Sequence, residues 1–100
     1  MPRAREGSFR RGIARILDAI GALHQCMGQA QDAVKYYQDS LAAFRRLGDL
    51  QWQAYTLGAL ANLYTGVGET AKADSSRTEA AALLTGRTGS VARAQPARRL

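Results

Sequence analysis

Laid over itself with an offset of 40 residues, so that Ala14 falls on Ala54, the sequence brings residues 13–46 onto seven identical partners in one frame. They are Ala14/Ala54, Leu17/Leu57, Ala19/Ala59, Leu23/Leu63, Gly28/Gly68, Ala33/Ala73 and Ala42/Ala82, with Ile20/Leu60 and Phe44/Leu84 as conservative pairs. Unrelated helices share apolar spacing by default, but a common turn glycine and common small residues are harder to reach by accident. A chain of 100 residues built this way has room for one small domain made of two equivalent units.

Each unit reads as a pair of helices. Pro2 and Pro96 are the only prolines, so 93 residues between them can hold helix without interruption. Residues 1–7 read as a loose, disordered tail, and Ser8 as the N-cap of a first helix. Ile13, Ile16, Leu17, Ile20, Leu23, His24 and Met27 then recur at spacings of three and four, which marks one helix face. Gly28 ends that helix as a C′ glycine with positive φ would. A second helix from Ala30 carries Ala33, Val34, Tyr37, Leu41, Phe44 and Leu47, with Arg45 and Arg46 in its last turn and Gly48 as its stop. Asp49 is placed to cap a third helix with Trp52, Leu57, Leu60, Ala61, Leu63, Tyr64 and Val67, closed by Gly66 and Gly68. The fourth runs from Glu69 to Thr85 with Gly86 behind it, and its apolar face is thin. The expected architecture is all-α: two tandem helical hairpins, 8–48 and 49–86, in one domain over 8–86, followed by a disordered basic tail at 87–100.

The net charge of +6 is unevenly placed. Residues 1–15 carry +4, residues 87–100 another +4, and the stretch between them −2. Basicity therefore belongs to the ends and the first helix rather than to the body. Arginine-rich ends attract phosphate whatever the base sequence, so weak nonspecific nucleic-acid binding is the alternative function to weigh. No recognition helix or aromatic platform supports it. No apolar run approaches the ~20 residues of a membrane span, and no apolar stretch follows the arginines at the start as a secretion signal requires. The single cysteine, Cys26, has no internal disulfide partner, which fits a reducing compartment. A soluble, cytoplasmic protein is expected.

Side chains that carry chemistry are sparse. His24 is the only histidine and sits on the apolar side of the first helix, where a packed ring is the simpler reading than a catalytic base. Cys26 is two residues further on and points to another face, so a Cys-His nucleophile does not form. Asp18, Asp32, Asp39, Asp49, Glu69, Asp74 and Glu79 are scattered, without a pair to act as acid and base. No phosphate-binding glycine loop, metal-ligand cluster or cofactor motif is expected. Tyr37 reads as a helix-packing aromatic, whereas Tyr36 and Trp52 are open between packing and ligand stacking. The chain is not expected to be an enzyme.

The pattern resembles the tetratricopeptide repeat. It reads Leu17-x-x-Ile20-Gly21-x-x-His24 with Ala33-x-x-x-Tyr37 in the first copy, and Leu57-x-x-Leu60-Ala61-x-x-Tyr64 with Ala73-x-x-x-Arg77 in the second. Small residues at Gly21, Ala61, Ala33 and Ala73 let the helices of a hairpin approach closely, while Leu17, Ile20, Leu57 and Leu60 fill the gap between hairpins. The period exceeds the usual ~34 residues and is similar to the 40-residue variant of bacterial repeat-containing transcriptional regulators. Arg77 departs from the pattern, standing where the family has an aromatic or a large aliphatic. The resemblance implies a protein-binding adaptor, a fragment or small relative of such a regulator, with the first helices of the hairpins lining a concave groove for a peptide or partner helix. The groove positions it implies are Arg15, Asp18, Ala22 and Gln25, then Tyr55, Gly58, Asn62 and Thr65. Asn62 matches the family asparagine that holds peptide backbone; of the basic carboxylate clamp that binds chaperone tails, Arg15 is the sole candidate. Two hairpins are fewer than the three such arrays need for stability. Self-association through exposed hairpin faces, docking to another protein, or origin in a longer repeat protein is therefore expected.

Overall fold

The computed structural model describes residues 2–85, with side chains from Gly7 onward. It contains four helices: α1 (Pro2–Cys26), α2 (Ala30–Leu47), α3 (Leu50–Gly66) and α4 (Thr70–Thr85). α1 packs along α2 and α3 along α4 as two hairpins, and α2 also lies against α3. The expected position of Gly86 and the tail at 87–100 lie outside the described residues.

Three identical turns join the helices. Gly28, Gly48 and Gly68 adopt φ of 77°, 70° and 83°. At each, the glycine N–H donates three residues back and the next N–H donates five back: Gly28 to Gln25 and Gln29 to His24, Gly48 to Arg45 and Asp49 to Phe44, Gly68 to Thr65 and Glu69 to Tyr64. This double bond satisfies the last carbonyls of the helix and reverses the chain, and it needs a left-handed residue that only glycine adopts at no cost. Asp49 caps α3 as expected, its Oδ1 accepting from the Trp52 N–H at 3.0 Å.

One expectation for α1 is corrected. The helix does not begin after a Ser8 cap: it extends back to Pro2, and Ser8 is an exposed residue within it. Proline is tolerated in a first turn because its missing N–H would have no partner there, and the Ala, Arg and Glu behind it are good helix formers. The side of α1 that packs on α2 is the one that holds Gly21, as expected, and not the row of large residues. Ala14, Asp18 and Gly21 are buried, whereas Ile13, Ile16, Leu23 and Met27 face outward. The cause is how closely α2 approaches. A Cβ at Gly21 would lie 3.0–3.2 Å from three ring atoms of Tyr37, and the Ser40 hydroxyl donates to the Ala14 carbonyl at 2.9 Å. Only small residues fit under such a crossing.

The core lies between α2, α3 and α4. Ala33, Tyr37 and Leu41 of α2 meet Leu57, Leu60 and Leu63 of α3, with Ala80 and Leu83 of α4 packed against them. Phe44 is fully buried at the far end of α2. Leu17 and Ile20 are only half buried, so the hairpin contact depends on the leucines of α3. α4 buries just Ala73 and Ser76, in keeping with its thin apolar face.

Candidate functional site

The first helices of the two hairpins, α1 and α3, meet through polar side chains. Thr56 Oγ1 donates to Asp18 Oδ1 at 3.0 Å in a buried contact. At the start of α3, Arg11 Nε lies 3.3 Å from Asp49 Oδ2. Burial pushes the Asp18 carboxyl above its ordinary value, and the Thr56 hydrogen bond opposes this in part. The Tyr37 phenol is raised too, by burial first and then by the negative charge of Asp18.

Beside this contact an open depression of about 560 Å³ runs between α1 and α3, lined by Arg15, Asp18, Ala19, Ala22, Trp52 and Tyr55, among others. An aromatic ladder forms one wall. Phe44 stacks on Trp52 with ring centroids 5.2 Å apart, and Trp52 meets Tyr55 edge to face at 5.0 Å. The Arg15 guanidinium sits 5.4 Å from the Trp52 ring, a cation–π contact. The ladder thus runs from a buried ring to Tyr55, which is 60% exposed. Tyr55 also borders a second depression of about 420 Å³ between α3 and α4, together with Gly58, Asn62 and Arg77.

Of the eight positions expected in the groove, six fall along these two depressions, Ala22 in the first and Gly58 in the second among them. Arg15, Asp18 and Tyr55 line the first; Tyr55 and Asn62 line the second. Asp18 is 7% exposed and occupied by Thr56, so it shapes the floor and is not a free contact. Gln25 and Thr65 line neither depression. Gln25 Oε1 accepts from the Tyr37 hydroxyl at 3.1 Å. Thr65 Oγ1 donates to the Ala61 carbonyl and accepts from Arg77 Nη2 at 3.0 Å. Both are consumed inside their own hairpin by the residue at the aromatic position of the repeat, a role that helix periodicity does not reveal.

Two residues outside the expected set belong to the site. Trp52 lies one turn before Tyr55 on α3, a spacing that puts both on one face. Arg77 borders Asn62 because it cannot bury where Tyr37 does. His24 stacks on Tyr36 at 5.1 Å with its ring nearly parallel, so both rings are used in packing. Cys26 is exposed. Among the described residues no group of three or more His, Cys, Asp or Glu gathers to hold a metal ion, and no helix is long and apolar enough to cross a membrane.

The tetratricopeptide repeat family model matches residues 12–85, and the chain belongs to that family. The family is a non-catalytic repeat scaffold whose members generally mediate protein–protein interaction. No curated protein and no solved structure matches the chain.

Proposed function

We propose that this chain is an adaptor that holds a segment of another protein across the α1–α3 face. Tyr55 carries the reading: a large aromatic braced from below by Trp52 and exposed as a ridge between two depressions. A braced aromatic with a free face supplies contact area at small entropic cost. Asn62, two helical turns along α3, supplies amide groups for a peptide backbone, and Arg15 adds a positive edge. The open, shallow depressions suit an extended or helical segment better than an enclosed small molecule. On the resemblance to the 40-residue repeats of bacterial regulators, we place the adaptor in a cytoplasmic regulatory protein.

Nucleic-acid association through the arginines is the competing reading. Arg11 is paired with Asp49 and Arg15 lies over Trp52, which weakens the contribution of the first helix to it. The two separate in one experiment: capture of partners from lysate with the tagged protein, after nuclease treatment and a high-salt wash. Under the adaptor reading a protein survives the wash and is lost with Tyr55→Ala or Asn62→Ala. Recovery of nucleic acid alone, released by salt, overturns it.

A further inference from the structure

The outward side of α1 carries an apolar row of which only Ile16 borders the α1–α3 depression. Phe9, Ile13, Ile16, Ile20, Leu23 and Met27 follow one another at steps of four, three, four, three and four, the spacing of a coiled-coil seam. Five of them stand free, with exposures of 70% for Phe9, 42% for Ile13, 59% for Ile16, 57% for Leu23 and 52% for Met27. The stripe is about 27 Å long at the helical rise and bears no charge. Together these side chains present roughly 500 Å² of apolar surface, near the upper end of the largest patch on an ordinary monomer.

The repeat indicates what kind of surface this is. Forty residues on, Ile13, Ile16, Ile20 and Leu23 become Gln53, Thr56, Leu60 and Leu63, all buried where α3 packs on the first hairpin. The side of α1 that is bare is therefore the one that α3 covers with a neighbouring helix. α4 of another copy does not match it. The α2 side chains Gln38, Leu41 and Phe44, which meet α3, correspond to Thr78, Ala81 and Leu84 of α4. Among these three exposed positions only Leu84 is large and apolar, so head-to-tail stacking would leave the isoleucines without partners.

We propose that α1 pairs with α1 of a second copy, antiparallel, about a two-fold axis near Asp18–Ala19. The stripe is its own complement in that direction: Phe9 meets Met27, Ile13 meets Leu23 and Ile16 meets Ile20 of the partner. Gly12, Ala19 and Cys26 flank the seam every seventh residue, and their small side chains let the two helices approach closely. Antiparallel pairing also sets Arg10 and Arg11 beside the partner's helix C-terminus, where cations are favoured, instead of beside their own copies. Two stripes hide roughly 1,000 Å², the lower bound for a specific interface. A two-fold contact is self-limiting, whereas a head-to-tail one propagates.

The test is sedimentation equilibrium of the full chain through the micromolar range. The expected result is a species of twice the 10.8 kDa chain mass. Ile16→Glu weakens it at least ~100-fold by placing an unpaired charge in the seam, with the helical circular dichroism unchanged because the site is exposed. Leu84→Glu leaves the dimer intact. Orientation is read in an oxidised Cys26→Ser, Ala19→Cys variant, which cross-links across the axis; native Cys26 does not, because its copies are about 24 Å apart along the paired helices. A monomer throughout, dissociation by Leu84→Glu, or cross-linking through native Cys26 overturns the proposal.

Discussion

Thr56 donates a hydrogen bond from its hydroxyl to Asp18 across 3.0 Å, joining the first helices of the two hairpins through a carboxylate that burial disfavours. Thr56 is fully buried. Thr56→Val keeps the shape and removes the donor, leaving a buried acceptor unsatisfied. It should destabilise the fold by about 1–3 kcal/mol at neutral pH, read as a lower urea midpoint with unchanged slope. A midpoint equal to wild type would mean that water serves Asp18 equally well.

The same carboxyl gives stability a pH dependence of unusual sign. Its folded pKa lies above the ordinary 3.8, so between those values the folded chain binds a proton that the unfolded chain does not. Stability from this group is fully present below 3.8 and is lost as pH rises through the folded value. Asp18→Asn keeps an oxygen for Thr56 and removes the charge. It should be more stable than wild type at neutral pH, with the advantage shrinking on acidification. Denaturation curves for both proteins at several pH values check this; an advantage that grows toward acid would contradict it.

Two helical glycines should respond oppositely to alanine. Glycine inside a helix costs about 0.5–1 kcal/mol relative to alanine. Gly58 has open space where a Cβ would go, so Gly58→Ala should raise stability by about that amount. At Gly21 the new Cβ meets the Tyr37 ring at 3.0–3.2 Å, and that ring is buried and held at its hydroxyl by Gln25. Overpacking costs about 1–3 kcal/mol, which outweighs the propensity gain. Gly21→Ala should therefore be destabilised, measured side by side with Gly58→Ala by thermal unfolding.

What the sequence disclosed, and what it did not, follows from which interactions are local. The turns were legible because a glycine at the end of an apolar period has a single conformational use, and Gly28, Gly48 and Gly68 all take it. The Asp49 cap was legible for the same reason. The close crossing of α1 and α2 was legible in the small residue at Gly21, which does lie against Tyr37; that Ile13, Ile16, Leu23 and Met27 stay exposed depends on which neighbour covers that row, which periodicity does not report. In the groove, the positions Arg15, Tyr55 and Asn62 came from the resemblance to the tetratricopeptide repeat. The loss of Gln25 and Thr65 to Tyr37 and Arg77 depends on contacts twelve residues away, which no spacing rule encodes.

Those last two contacts are one contact repeated. Tyr37 donates to Gln25 in the first hairpin, and Arg77 donates to Thr65 in the second, each pair displaced by the 40-residue period. The position beneath Tyr37 differs in step: it is Gly21 in the first copy and corresponds to Ala61 in the second. A Cβ at Gly21 would press on the tyrosine ring, and by the repeat the Cβ of Ala61 would press in the same way on an aromatic placed at 77. Arg77→Tyr alone should then fail to improve stability, since the ring meets that Cβ. Ala61→Gly alone should cost about 1 kcal/mol through helix propensity. Together they should recreate the packing of the first hairpin, so the double variant should exceed the sum of the two changes by roughly 0.5–3 kcal/mol. A double-mutant cycle in urea measures that coupling, and strict additivity would refute steric exclusion at Ala61 as the reason for Arg77.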